Sequence, residues 1–168
     1  KLYKIMCGFV VCFSPAENNK NKLIINKKKL QNSFEYIKHR GPDENNFWFS
    51  KNLKVGLAHA RLSIVDIKQG SQPMVSQNNR YVLVFNGELY NHISVRAELE
   101  GYAWRGHSDT ETLLIAIEKW GVAKAVDYFE GMFAFAVWDK REQRITLVRD
   151  RLGEKPLYYG WSDNRFVF

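Results

Sequence analysis

The chain has 168 residues, a length that predicts one domain large enough to bury a core. No apolar run approaches the roughly 20 residues needed to span a bilayer, so we expect no membrane partner. The net charge of +7 lies largely in one tract, NNKNKLIINKKK, which lacks the arginines and aromatic residues typical of nucleic-acid-binding surfaces. Charge therefore does not predict a nucleic-acid partner.

The first half of the chain predicts a strand, a helix and then several strands. CGFVVCF is short, apolar and partly β-branched, which predicts a buried strand. Cys7 and Cys12 would face opposite sides of that strand, so we expect no disulfide and a reducing, cytoplasmic location. Asn26 can cap a helix that RGPD ends, because Pro42 disfavours helical geometry before it. The β segments that follow are NFWFS, LKVGLAH, LSIVD and YVLVFN.

The second half predicts two helices and then more β structure. NHISVRAELE is typical of a short helix, and SDTETLLIAIEKWG of a longer one. Ser108 and Glu111 have capping-box spacing in the longer helix, and Gly121 suits its end. FAFAVWD, RITLVRD, PLYYG and RFVF predict strands, the last still in progress where the sequence stops. Many short strands in meander order predict an α+β fold, with antiparallel sheet covered by helices.

Cys7 is the most serious candidate nucleophile. The four histidines and two cysteines match no zinc spacing, and no glycine-rich phosphate loop is present, so we expect no metal and no cofactor in this domain. A thiol needs a base, and removal of residues 1–6 would give Cys7 its own α-amine. Composition alone favours the alternative, a small buried residue in a strand.

Other stretches bear on that choice. Asn86 and Gly87 fall where an apolar strand is expected to break into a turn, and their amide and backbone N–H suit an oxyanion hole. An ordinary Asn-Gly hairpin turn is the alternative. Arg61 can grip a carboxylate through two hydrogen bonds. Asp109 can bind an ammonium group, although electrostatics at a helix start is a sufficient role for it.

Seven segments occur in the order of one known family: MCG, HRGPD, HARLSIVD, FNGELYNH, SDTETLL, EGMFAFAVWD and RDRLGEKPLYYG. From Met6 onward the chain resembles the N-terminal glutaminase domain of glutamine-dependent asparagine synthetases, a class II glutamine amidotransferase domain. The resemblance implies an N-terminal-nucleophile hydrolase fold, a four-layer αββα sandwich of antiparallel sheets. It also implies L-glutamine as the substrate, hydrolysed to glutamate and ammonia.

The resemblance implies catalytic roles for three residues. Cys7 would be the nucleophile, with its freed α-amine as the base, and would form a γ-glutamyl thioester. Asn86 and Gly87 match the oxyanion-hole positions of the family.

It further implies a substrate-binding set. Arg61 matches the residue that holds the α-carboxylate of glutamine, and Glu88 and Asp109 match those around its α-amine. The backbone in LSIV is expected to line the same pocket, which adds Leu62, Ile64 and Val65.

The family also sets expectations beyond this domain. Residues 1–6 are expected to be a leader, whether tag, upstream start or propeptide, and residues 7–168 a glutaminase domain truncated before a C-terminal synthetase domain. ATP and Mg²⁺ are expected in that synthetase domain, and the resemblance is compatible with an oligomer.

Two alternatives stay open. RGPD with FNGELYNH and RDRLGEKPLYYG resembles the asparagine synthetase branch more than glucosamine-6-phosphate synthase or the purine amidotransferase. That branch includes members that amidate sugars or other carboxylates, so the ammonia acceptor is not determined. From a different class, the domain would be a non-catalytic partner-binding module if Cys7 stayed unprocessed.

Overall fold

The computed structural model describes residues 6–15, 24–62 and 69–168. In chain order its elements are β1 (Gly8–Phe13), α1 (Lys27–Glu35), a 3-10 helix (Lys38–Arg40), β2 (Glu44–Phe49), β3 (Val55–Arg61), β4 (Met74–Val75), β5 (Tyr81–Leu89), α2 (His92–Ala97), α3 (Asp109–Trp120), α4 (Val122–Asp127), β6 (Gly131–Asp139), β7 (Arg144–Arg149), β8 (Gly160–Ser162) and β9 (Arg165–Val167). These strands pair antiparallel in two sheets, which confirms the predicted α+β class. Among the described helices, none is both long and apolar enough to cross a membrane.

The first of two compact units comprises Lys1–Leu62 and Leu157–Phe168. Its five-stranded sheet has the order β2-β3-β1-β9-β8, and α1 packs on β1 and β3. Asn26 caps α1 as predicted, accepting a hydrogen bond from the Lys29 N–H at 3.1 Å. Leu30 and Phe34 are the buried residues of the helix, so its apolar face is the one that meets the sheet.

The second unit, Ser63–Pro156, contains a four-stranded sheet in the order β4-β5-β6-β7. Leu83, Phe85 and Leu89 of β5 belong to its core together with most apolar residues of α3. Because side chains alternate along a strand, the intervening residues of β5, including Asn86, point to the other face of this sheet. Gly121 ends α3 as predicted, with a φ of 78° that favours glycine.

Some predictions about the elements are wrong. PLYYG is not a strand, since β8 begins only at Gly160 and the side chains of Tyr158 and Tyr159 are exposed. Helix α4 was not predicted, because its six residues directly follow α3 and are too few to establish a helical repeat. The predicted strand LSIVD lies outside the described residues except for Leu62.

Candidate active site

Cys7 lies immediately before β1 and beside the end of β3. Gly8 pairs with Ala60 in an antiparallel register. The residue before Gly8 therefore lies beside the last residue of β3, and Cys7 contacts Leu62 there. Cys7 Sγ accepts a hydrogen bond from the Leu62 N–H at 3.3 Å and donates one to the Leu62 carbonyl oxygen at 3.6 Å. An N–H directed at sulfur places a positive dipole end beside the atom that carries a nucleophile's charge. Cys7 and Cys12 form no disulfide, as predicted.

Arg61, the last residue of β3, is only 5% exposed. Its Nη1 donates to Glu44 Oε2 at 3.1 Å, and the two residues are direct partners in the β2–β3 pairing. The guanidinium is therefore held in orientation by a carboxylate on the neighbouring strand. Sequence reasoning missed Glu44, because an acidic residue next to RGPD carries no pattern of its own.

Asn86 and Gly87 lie inside β5, and the expected turn at this point is wrong. Gly87 pairs with Phe133 of β6, and a Cβ at Gly87 would stand 2.1 Å from the Met132 carbonyl oxygen. The absence of a side chain thus lets the β5–β6 pairing continue to Leu89. Tertiary pairing overrides the local hairpin preference of Asn-Gly here.

Asn86 is buried, and the oxygen of its side-chain amide is not used by the described fold. The residue is 6% exposed, and its Oδ1 has no hydrogen-bond partner among the described residues. Buried polar atoms are normally hydrogen-bonded, so an acceptor without a described partner marks Asn86 as a residue whose side chain a ligand can use.

Asp109 opens α3 and contacts the end of β5. Its Oδ2 accepts a hydrogen bond from the Leu89 N–H at 3.0 Å, and its Oδ1 accepts one from the Thr110 N–H at 2.7 Å. Burial raises the pKa of the Asp109 carboxyl above its ordinary value despite these donors and His92, and the nearby Glu88 adds to the increase. Two neighbouring carboxylates make this place suitable for an ammonium group.

The predicted site residues are thus accounted for as follows. The first unit contains Cys7, Arg61 and Leu62, and the thiol contacts Leu62. In the second unit, Asp109 at the start of α3 accepts a hydrogen bond from the Leu89 N–H at the end of β5, and Glu88 acts electrostatically on Asp109, while Asn86 and Gly87 precede Glu88 on the same strand. Ile64 and Val65 lie outside the described residues.

Comparison with models of known protein families gives a match over nearly the whole chain. A family model described as a glutamine amidotransferase domain matches residues 6–168. The chain belongs to this family. The match covers every residue of the predicted site, including those that the structure does not describe.

Relatives of this glutamine amidotransferase domain are longer proteins. Asparagine synthetase [glutamine-hydrolyzing] 3 of Bacillus subtilis is 38% identical over 89% of the chain, and asparagine synthetase B [glutamine-hydrolyzing] of Escherichia coli is 40% identical over 83% of it. A protein named amidase chry2, from Gibberella zeae, is 36% identical over 92% of the chain. The matches cover 24%, 25% and 23% of these proteins, so the chain spans about a quarter of the length of its curated relatives.

In this glutamine amidotransferase domain the RGPD motif holds the backbone at two predicted site residues. Arg40 Nε donates to the Cys7 carbonyl oxygen at 3.2 Å. Gly41 lies so close to β3 that a Cβ would stand 2.3 Å from the Arg61 nitrogen. The Asp43 N–H donates to the Arg61 carbonyl oxygen at 3.1 Å. The motif therefore fixes the main chain beside the thiol and beside the guanidinium.

The RDRLGEKP motif forms a loop with internal hydrogen bonds and with bonds to the neighbouring residues of the second unit, to which Arg151 adds contacts with the Phe129 and Val126 carbonyl oxygens. The Asp150 carboxylate accepts hydrogen bonds from the N–H groups of Phe133 (3.1 Å), Glu154 (2.8 Å) and Lys155 (2.9 Å). Burial alone would raise the pKa of this carboxyl, but the N–H donors together hold it below its ordinary value. Arg149 Nε donates to the Lys155 carbonyl oxygen at 2.6 Å and closes the loop. These contacts give the motif a structural role within the second unit.

Proposed function

We propose that this domain hydrolyses L-glutamine to glutamate and ammonia, and that the ammonia supplies an ATP-dependent amidation of the asparagine synthetase type. The observation that carries the proposal is the family match, which begins at Met6 and includes Cys7 and the complete predicted site. The names of the relatives from Bacillus subtilis and Escherichia coli support the choice of glutamine and of this branch.

The proposed reaction proceeds through a thioester. Cys7 Sγ attacks the side-chain amide carbon of glutamine, while the Asn86 amide and the Gly87 N–H stabilise the oxyanion. The carbon–nitrogen bond then breaks, and ammonia leaves with a proton relayed through the Cys7 α-amine. Water, deprotonated by the same amine, attacks the γ-glutamyl thioester, which releases glutamate and restores the thiol. The amine must be free for this work, so we expect hydrolysis only from chains that begin at Cys7.

Substrate recognition in the proposal uses opposite charges at the two ends of the amino-acid group. Arg61, already oriented by Glu44, would bind the α-carboxylate. Glu88 and Asp109 would bind the α-ammonium, in keeping with the carboxylates that meet at the end of β5. The backbone of Leu62, Ile64 and Val65 would line the pocket.

The finer fold and the partners belong to the same proposal. The four-layer αββα arrangement of an N-terminal-nucleophile hydrolase is supported by family membership and by the antiparallel pairing in both sheets. A synthetase domain using ATP and Mg²⁺ would consume the ammonia. The alternative to aspartate as the acceptor is a sugar or another carboxylate, as the resemblance to the wider branch implies.

Covalent labelling tests the proposal. We expect the glutamine analogue 6-diazo-5-oxo-norleucine to modify Cys7 in a chain whose first residue is Cys7, and that chain to release glutamate from glutamine. Cys12 is the internal control, because burial raises the pKa of its thiol and only 8% of the residue is exposed. Intact-mass measurement verifies the N-terminus, and peptide mapping locates the adduct.

Two results of this experiment would count against the proposal. Glutamate release from a chain verified to begin at Lys1 would contradict the role of the α-amine. Neither labelling nor hydrolysis in a chain verified to begin at Cys7 would instead support the partner-binding module.

The pH dependence of substrate selection gives a separate prediction. Glutaramate has the carboxylate and amide of glutamine but no α-amine, so the ratio of kcat/KM for glutamine to that for glutaramate isolates recognition of the ammonium group. Protonation of Asp109 removes its charge, so this ratio should fall as pH is lowered through the Asp109 pKa. Because burial raises that pKa, the fall should begin above the ordinary carboxyl range near about 4. Asp109→Asn should lower the ratio and remove the part of its fall that begins above the ordinary carboxyl range; the same fall at the same pH in that variant would exclude Asp109 as its cause.

A further inference from the structure

A second carboxylate, Glu111, is buried within the first turn of α3 and is 1% exposed. Its Oε1 accepts hydrogen bonds from the backbone N–H of Arg105 at 2.9 Å and from Arg105 Nε at 3.2 Å. Its Oε2 accepts one from the Gly106 N–H at 2.9 Å. The side chain therefore reaches beyond the helix cap and holds the loop that leads into Asp109.

Arg96 of α2 completes this arrangement from the other side of the loop. Its Nη2 donates to the Gly106 carbonyl oxygen at 2.8 Å and to Glu111 Oε2 at 3.4 Å, while its Nε donates to Thr112 Oγ1 at 3.0 Å. Its guanidinium carbon lies 3.8 Å from the centroid of the Trp104 ring. Both backbone polar groups of Gly106 are thus held by charged side chains.

The connection to Asp109 runs through the helix cap. Ser108, the residue before Asp109, accepts a hydrogen bond from the Glu111 N–H at 3.2 Å. Glu111 thus holds Ser108 itself through its backbone N–H, and the residues before Ser108 through the carboxylate bonds to residues 105–106. Asp109 follows directly, and its carboxylate must meet the Leu89 N–H at the end of β5. The angle at which the loop enters α3 therefore determines where this carboxylate lies.

We propose that Glu111, together with Arg96, is a positioning residue that sets the Asp109 carboxylate and thereby the selectivity of the domain for substrates with an α-amino group. This inference rests on the proposed function, in which Asp109 binds the α-ammonium of glutamine. Glu111 is fully enclosed by the loop and by α2, so it acts through Asp109 and has no contact with substrate.

The test compares two substrates in Glu111→Gln. This change keeps the shape of the side chain but removes its charge and places an N–H₂ group against donors. We expect kcat/KM for glutamine to fall about tenfold, the effect of losing one charge-assisted hydrogen bond, while kcat/KM for glutaramate changes little. In an Asp109→Asn background the same substitution should leave the substrate ratio unchanged, because the group that it positions is already disabled.

Asp139→Asn is the matched control. Asp139 is a comparably buried carboxylate of the same unit, 6% exposed, and it accepts hydrogen bonds from Arg80 and from the N–H groups of Arg141 and Glu142. This variant should lower thermal stability without altering the substrate ratio. An equal loss for both substrates in Glu111→Gln would overturn the proposal, since it would mean a structural role alone.

Two further outcomes decide the remaining cases. If Glu111→Gln fails to fold, Arg96→Lys is the deciding variant. Lysine keeps the positive charge but loses the forked contact of the guanidinium. An unchanged substrate ratio in Arg96→Lys overturns the proposal. A failure of the proposed function would show in the unmodified domain. That domain would then hydrolyse no glutamine, or its kcat/KM for glutamine would not exceed that for glutaramate. A preference that Asp109→Asn abolishes and Glu111→Gln spares would refute only the positioning role.

Discussion

Cys7→Ala is expected to reduce glutamate release from glutamine to assay background, a loss of about four orders of magnitude or more. Alanine removes the sulfur that forms the thioester, and no other described thiol can replace it, since Cys12 is buried beneath α1. The fold should survive, because the sulfur contacts to Leu62, at 3.3 and 3.6 Å, are weak hydrogen bonds, while the Cys7 carbonyl oxygen keeps its bond from Arg40 in the alanine variant. The measurement is glutamate release by a chain that begins at residue 7, with thermal unfolding as the check on folding.

Cys12→Ala serves as the comparison for this experiment. It deletes the other thiol and leaves Cys7 intact, so hydrolysis should be retained even though a small loss of core packing lowers stability. Substantial glutamate release by a correctly folded Cys7→Ala chain would remove Cys7 from the mechanism.

Asn86→Ala should lower kcat by about 100- to 1000-fold with little change in KM, the usual effect of removing one oxyanion-hole donor. The structure adds a specific expectation about stability. Since the Asn86 Oδ1 is buried and has no hydrogen-bond partner among the described residues, the alanine variant should unfold at the same or a higher temperature. Activity and stability should therefore move independently.

Asn91 provides the opposite case in the same unit. Its Nδ2 donates to the Tyr128 carbonyl oxygen at 2.8 Å, and its Oδ1 accepts from the Glu130 N–H at 3.1 Å. Asn91→Ala should therefore cost about 1 kcal/mol of stability per hydrogen bond and leave kcat nearly unchanged. If Asn86→Ala instead behaved like Asn91→Ala, Asn86 would be a structural residue.

Local signals were sufficient to predict much of the fold. Helix α3 begins after Ser108 and ends at Gly121 because capping depends on residues within one turn of each end. The strands β1, β5 and β6 are apolar runs whose burial matches their composition. PLYYG was wrongly predicted as a strand for the same reason: its two tyrosines are typical of strands, but both are exposed.

The site depended on contacts that spacing does not reveal. Arg40 meets Cys7 across 33 positions in the sequence, and Asp109 meets Leu89 across 20. Asn-Gly at residues 86–87 was ambiguous because a hairpin turn and a close strand pairing both favour glycine. The resemblance to a family supplied the candidate residues, and the structure then brought those of the second unit together at one strand end.

The hydrogen bond from Arg40 to Cys7 reaches a carbonyl oxygen, an atom that every amino acid has. This contact therefore holds residue 7 whatever side chain performs the attack. A protein built in this way can exchange one reactive group for another, serine for cysteine for example, without first rebuilding the surroundings that aim it. Evolution and protein engineering alike would find the chemistry at this position easier to change than the place where it occurs.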